Sequence, residues 1–279
     1  MNYSTDFSSL KGKVPDEEWQ TRLELAACYR LVDKYGMTDL IYNHITARIP
    51  GSKDHLLINL YGLLYKEITA SSLVKIHVDG DIVWKPDTDY DINKSGYVIH
   101  GAIHKARPDV ACVLHTHTRA GMAVASMQCC LLPLSQTSIR FHGHIGYHDY
   151  EGPAIDVAER ERIVRDLGSH DALIMRNHGL LTCGATIQQA FNTMYQLEMS
   201  CRVAGGHDGG AHGINDARRE RARAHGASLS TGHETTLRRA GMAGDAAPAG
   251  GRAEALGLSA VLALSRRVGQ PRHPVGGSR

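Results

Sequence analysis

The chain has 279 residues, 42% hydrophobic and 22% charged, with a formal net charge of +2. A chain of that size and apolar content buries one large core, so it needs no disulfide scaffold. No apolar run reaches the roughly eighteen residues of a membrane span, and Met1 to Asp16 lacks the apolar stretch of a signal peptide, which predicts a soluble, cytoplasmic protein with neither membrane nor nucleic acid as partner.

The six cysteines show no CxxC spacing and read as reduced structural thiols. Charge is unevenly placed. From Val203 onward there are eleven arginines against six acidic residues, a balance of +5, which leaves −3 for residues 1–202. The stretch from Val203 to Arg279 has no Phe, Tyr, Trp or Lys and is rich in Ala, Gly, Arg and His. Three segments are therefore expected: an N-terminal arm over 1–16, one folded domain over 17–202, and a tail over 203–279. The tail has too few aliphatic and aromatic residues to offset its ordering entropy, so disorder is expected, apart from a short helix from Ala253 to Leu264. Its composition suits either a basic segment for acidic partners or, the favoured reading, a frameshifted translation of GC-rich DNA.

Asp16 reads as the N-cap of a first helix, with Trp19, Leu23, Ala26, Ala27, Tyr29 and Val32 at helical spacing until Gly36. Asn43 to Arg48 and His55 to Asn59 are short strands around Pro50-Gly51-Ser52. Asp79-Gly80-Asp81 between Val74–His77 and Ile82–Trp84 signals a β-hairpin. Helix periodicity runs from Tyr97 to Lys105 and stops at Arg107-Pro108. Further helices are predicted over Thr118 to Ser126, Asp156 to Gly168 and Gly184 to Arg202, with a short buried strand from Ala172 to Met175.

Between these lies Val110 to His117, an apolar run ending in two histidines. Residues two apart on a strand share a face, so the imidazoles of His115 and His117 project side by side. Neutral imidazole is the commonest protein ligand for zinc, and a catalytic zinc site has three protein ligands with a fourth position open. His178, between a buried strand and Gly179, is the candidate third ligand, presented from a tight turn. The pair alone also suits a structural role. A rival cluster, Phe141 to His148, holds His142, His144 and His148, and its glycines argue for an exposed loop or an irregular edge strand.

These residues resemble the class II aldolase and adducin head-domain family. The likeness covers about residues 17–202: the first helix, Asn43-His44-Ile45-Thr46-Ala47-Arg48, His115-Thr116-His117 and Asn177-His178-Gly179. It implies a three-layer α/β/α fold around a mainly antiparallel central sheet, and a homotetramer. It also implies a divalent cation, Zn2+ or else Mn2+ or Co2+, on His115, His117 and His178. The family's sugar-phosphate aldolases use a glutamate as acid/base, and the resemblance places Gly96 at that position. Base catalysis of this type is worth about 10²–10⁴-fold in rate, which a glycine cannot supply. His44, Tyr97, His100 and His144 are candidates by residue type. Asn43 is the candidate substrate contact, though Asn in a loop also forms turns. Tyr42 before Asn43 and the segment Asn59-Leu60-Tyr61-Gly62 depart from the phosphate-binding loops. The expected function is a metal-dependent aldolase or lyase acting on a small hydroxy-carbonyl compound, other than a standard sugar-phosphate aldolase because Gly96 stands at the glutamate position; the alternative is a non-catalytic, adducin-like assembly or cytoskeletal-type binding protein.

Overall fold

The computed structural model describes residues 2–152 and 157–206, and for Lys94, Ser95 and Val157 the backbone alone. The expectations for the tail, including its disorder and the helix from Ala253 to Leu264, concern a region that is outside the described residues from 207 onward.

Helix α1 (Asp16–Lys34) buries Leu25, Cys28, Tyr29 and Val32 and ends before Gly36, which takes a positive φ of 65°. Pro15, not Asp16, is its N-cap, and no side chain caps it. Asp16, Glu17 and Glu18 fill the first turn, where negative charge offsets the positive end of the helix dipole. Strands β1 (His44–Arg48) and β2 (His55–Ile58) pair antiparallel, and β3 (Val74–His77) with β4 (Ile82–Trp84) form the hairpin read from Asp79-Gly80.

Helix α2 (Lys94–Ala106) begins three residues before the first predicted helical residue, because Asn93 caps it by accepting from the Gly96 backbone N–H at 3.3 Å. Strand β5 (Cys112–Thr116) leads to α3 (Arg119–Ala125), capped by Thr118, and the short α4 (Gln136–Ile139) follows. The glycine-rich histidine cluster ends in strand β6 (Gly146–His148), which precedes α5 (Val157–Leu167) and β7 (Ala172–Met175). The segment after His178 is strand β8 (Gly179–Gly184), which the sequence reading passed over, so the last helix α6 (Ile187–Gly206) starts three residues later than expected.

The eight strands form one sheet in the order β4-β3-β2-β1-β5-β8-β7-β6, with every pairing antiparallel except β6 with β7. Alternation along β5 divides the core. Cys112 and Leu114 join the larger cluster with α1 and α6, whereas Val113 joins Ile99, Ile103, Ile163 and Leu167 of α2 and α5 on the other face. The layers are therefore helix, sheet and helix, with β5 central and buried on both sides.

Candidate metal centre

His115 shares the α2/α5 face with Val113, since the two lie two residues apart on β5. Across the antiparallel ladder its direct partner is His44 on β1, so the two imidazoles stand on one face, with ring centroids 5.7 Å apart. His117 follows just past the strand end. His178 comes from the turn between β7 and β8, where Asn177 adopts φ 55° and its backbone N–H donates to the Ala125 carbonyl at 3.1 Å. The left-handed residue of this turn is Asn177; Gly179 is needed for a different reason. A Cβ on Gly179 would collide with the Thr116 carbonyl and lie 3.0 Å from His117 Cδ2, so its lack of a side chain lets β8 close against the end of β5.

The three predicted ligands meet. His115 Nε2 lies 2.7 Å from His117 Nε2 and 3.3 Å from His178 Nε2, and the potential ligand atoms all fall within 4.8 Å of one another. Tetrahedral coordination at a Zn–N length near 2.0–2.1 Å spaces nitrogens by about 3.3–3.4 Å, close to the second of these separations. The surroundings of the other ring nitrogens favour one tautomer for two of the rings. His115 Nδ1 donates to the Leu180 carbonyl at 2.9 Å, and His117 Nδ1 faces the Asp39 carboxylate at 3.5 Å. Both Nε2 atoms thus turn lone pairs toward each other, an arrangement that calls for a cation between them. Burial drives His115 well below the ordinary histidine range, and His117 adds to the effect. Burial also lowers His178, to about 4, and lowers His117 against the opposing pull of Asp39. Neutral imidazoles at pH 7 are the state that binds a metal. The donor set therefore fits a zinc-type ion. Among the described residues this is the group of His, Cys, Asp and Glu able to hold one.

The remaining candidates separate. His44 is 3% exposed, and neither ring nitrogen has a hydrogen-bond partner. Burial, then the charge of His117, pushes it down to about 3 against a smaller opposing pull from the Gly96 backbone, which approaches the ring without meeting hydrogen-bond geometry. His100 on α2 stacks 4.2 Å from His44 and is held from behind: Thr46 Oγ1 lies 2.9 Å from both His100 Nδ1 and His104 Nε2. Tyr97 packs its ring over Gly80 in the β3–β4 turn, where a Cβ would overlap it, which is a packing role. His144 is exposed on a turn, and its charge acts on His170 rather than on the triad. Asn43 accepts from the Asp39 backbone N–H at 3.0 Å and so holds the turn that carries the His117 partner; its buried Nδ2 is unpaired.

The rival cluster does not act as one ligand set. His148, read as part of an exposed loop or edge, is a buried residue of edge strand β6 whose Nδ1 lies 2.8 Å from Asp166 of α5 and whose Nε2 lies 3.6 Å from Glu159. At the segment where the resemblance places a phosphate loop, Asn59 is tied to Tyr29 Oη at 2.9 Å. A Cβ on Gly62 there would lie 2.7 Å from the Tyr90 ring, which covers that loop. Sequence reading missed Asp39, the Leu180 carbonyl and Glu198, which accepts from Thr118 just beyond the histidine pair. No spacing signal marks them, because each arrives from a distant element.

A three-layer α/β/α domain with three convergent imidazoles at the end of its central strand defines the class: an aldolase-type fold with a histidine cluster able to hold a metal ion. Residues 23–204 match the model of the Class II Aldolase and Adducin N-terminal domain, and the chain belongs to that family. It is similar to a Pseudomonas aeruginosa protein whose name assigns it provisionally to aldolase class 2, 50% identical over 196 residues, which are 70% of this chain and 74% of that one. Alpha-adducin of Rattus norvegicus is 45% identical over 183 residues, 65% of this chain but 25% of the adducin. The structure of L-fuculose 1-phosphate aldolase from Glaciozyma antarctica PI12 superimposes with a TM-score of 0.64 at 28% identity, covering 78% of this chain and 84% of that one. Among the described residues no helix is long and apolar enough to cross a membrane.

Proposed function

We propose that this protein is a metal-dependent lyase of the aldolase type, acting on a small hydroxy-carbonyl compound without a phosphate group. The observation that carries the reading is the convergence of the His115, His117 and His178 Nε2 atoms, with Leu180 and Asp39 orienting the outer edges of two of the rings. A zinc-type ion held there supplies Lewis acidity to a carbonyl or hydroxyl oxygen of the substrate. In the cleavage, the bond between the α- and β-carbons of the carbonyl compound breaks. The β-hydroxyl gives its proton to solvent as the carbon that bears it leaves as an aldehyde, and the electron pair stays on the α-carbon, which then takes a proton from solvent. Tyr90 over Gly62 supports a substrate without phosphate. By family likeness the working unit is a homotetramer.

Metal analysis of the purified full-length chain, with His115→Ala as control, tests the reading. One equivalent of Zn, Mn or Co per chain, lost in the variant, and release of an aldehyde from a hydroxy-carbonyl panel are expected. No bound metal in either protein would overturn it. Gly96, which offers no carboxylate, favours a second reading as an adducin-like assembly protein. That reading predicts no turnover and an oligomer that survives chelation.

A further inference from the structure

His44 and His100 place three buried ring nitrogens without partners, His44 Nδ1, His44 Nε2 and His100 Nε2, on two rings 4.2 Å apart. Buried polar atoms in native proteins are almost always hydrogen-bonded, so such a group beside a metal-type triad marks a place for an outside oxygen. Gly96 explains how the rings fit. A Cβ at position 96 would lie 2.5 Å from His44 Cε1 and 2.6 Å from His44 Nδ1, so the imidazole stands where a side chain at 96 would begin. The two positions exclude each other: a residue with a side chain at 96 requires His44 to move.

We propose that His44, admitted beside the triad by the lack of a side chain at Gly96 and backed by His100, is the substrate-binding group of this centre and hydrogen-bonds a hydroxyl group of the substrate. The inference rests on the lyase reading above. A neutral imidazole offers one donor and one acceptor, and a hydroxyl oxygen both donates and accepts, so the two match. The backing is fixed, because the Thr46 hydroxyl donates to one of His100 and His104 and accepts from the other, which couples their tautomers.

The test uses the zinc-loaded full-length protein, with glycolate and dihydroxyacetone as probes in calorimetric titration. His44→Ala should retain one zinc per chain while weakening probe binding by about tenfold or more, and His44→Gln, which keeps a donor and an acceptor, should recover part of it. Should His44→Ala fail to fold, His44→Gln and His44→Asn supply the same comparison. In parallel, Gly96→Ala should lower the melting temperature in the wild-type background and much less in His44→Ala, a readout independent of turnover. Unchanged probe affinity in His44→Ala, no binding of either probe by the zinc-loaded wild type, or equal destabilisation by Gly96→Ala in both backgrounds would each overturn the inference and leave the metal centre standing. A wild type that takes up no zinc removes the lyase reading itself.

Discussion

Acid should unfold this protein well before its carboxylates titrate, because His44, His100 and His104 are buried between β1 and α2 in neutral form. Burial is the largest cause of each depression; His44 and His104 fall to about 3, and His100 is driven well below its ordinary value. In the unfolded chain each returns to about 6.5, so between those values the unfolded state binds more protons than the folded one. Stability is therefore complete above pH 6.5 and declines as the pH falls toward 3. At pH 5 each ring forfeits about 2 kcal/mol, and the three together about 6 kcal/mol, against a total stability of about 5–15 kcal/mol for a domain. The assay is urea unfolding followed by circular dichroism at pH 7, 6 and 5 with a chelator present. Near pH 5 the three protons give a slope of about 4 kcal/mol per pH unit, and the metal-free triad histidines steepen it. His104→Gln should remove about one proton from the slope. A change of less than about 1 kcal/mol between pH 6 and pH 5 would mean that the rings are not buried and neutral, and would refute the reasoning.

Other predictions follow from the site. Asp39→Asn should weaken metal affinity by about 10–100-fold without unfolding the protein, because it removes the outer partner of His117; equal affinity in an indicator competition would contradict this. Gly179→Ala must displace the Thr116 carbonyl or the β7–β8 turn, and should cost about 1–3 kcal/mol in urea unfolding together with weaker zinc uptake. Thr46→Val should cost about 1–3 kcal/mol by stranding ring nitrogens of His100 and His104, and a variant as stable as wild type would show that water or rotation repairs them. Zinc at a hundredfold excess over its dissociation constant should add about 2.7 kcal/mol to stability, an increment that His178→Ala abolishes.

Much of this architecture could be read along the chain. The Asp79-Gly80 hairpin, the strand from Ala172 to Met175 and the histidine pair at the end of β5 all fell where local pattern placed them. Strand β8 was not legible, because Gly179 to Gly184 is buried on both faces and so shows no alternation, and it starts and ends in glycine. The start of α2 was hidden by the polar Lys94-Ser95-Gly96, which only its Asn93 cap explains. At the site, ligand types were visible in the sequence, but the groups that orient them were not. Asp39 meets His117 across seventy-eight positions of sequence, and the Leu180 carbonyl carries no residue-type signal at all. His44 was readable as a candidate by type; its burial against Gly96 came only from the β1–β5 register.

The pairing of β5 with both β1 and β8 also sets an order of events in folding. His44, His115 and His178 are separated by 71 and 63 residues, and they come together only when the ladders His44↔His115 and Thr116↔Leu180 have both closed. Such non-local contacts form late, after large loops have been closed. A metal ion added during refolding would therefore be captured at the end of the process, and the appearance of its bound signal would time the completion of the central sheet.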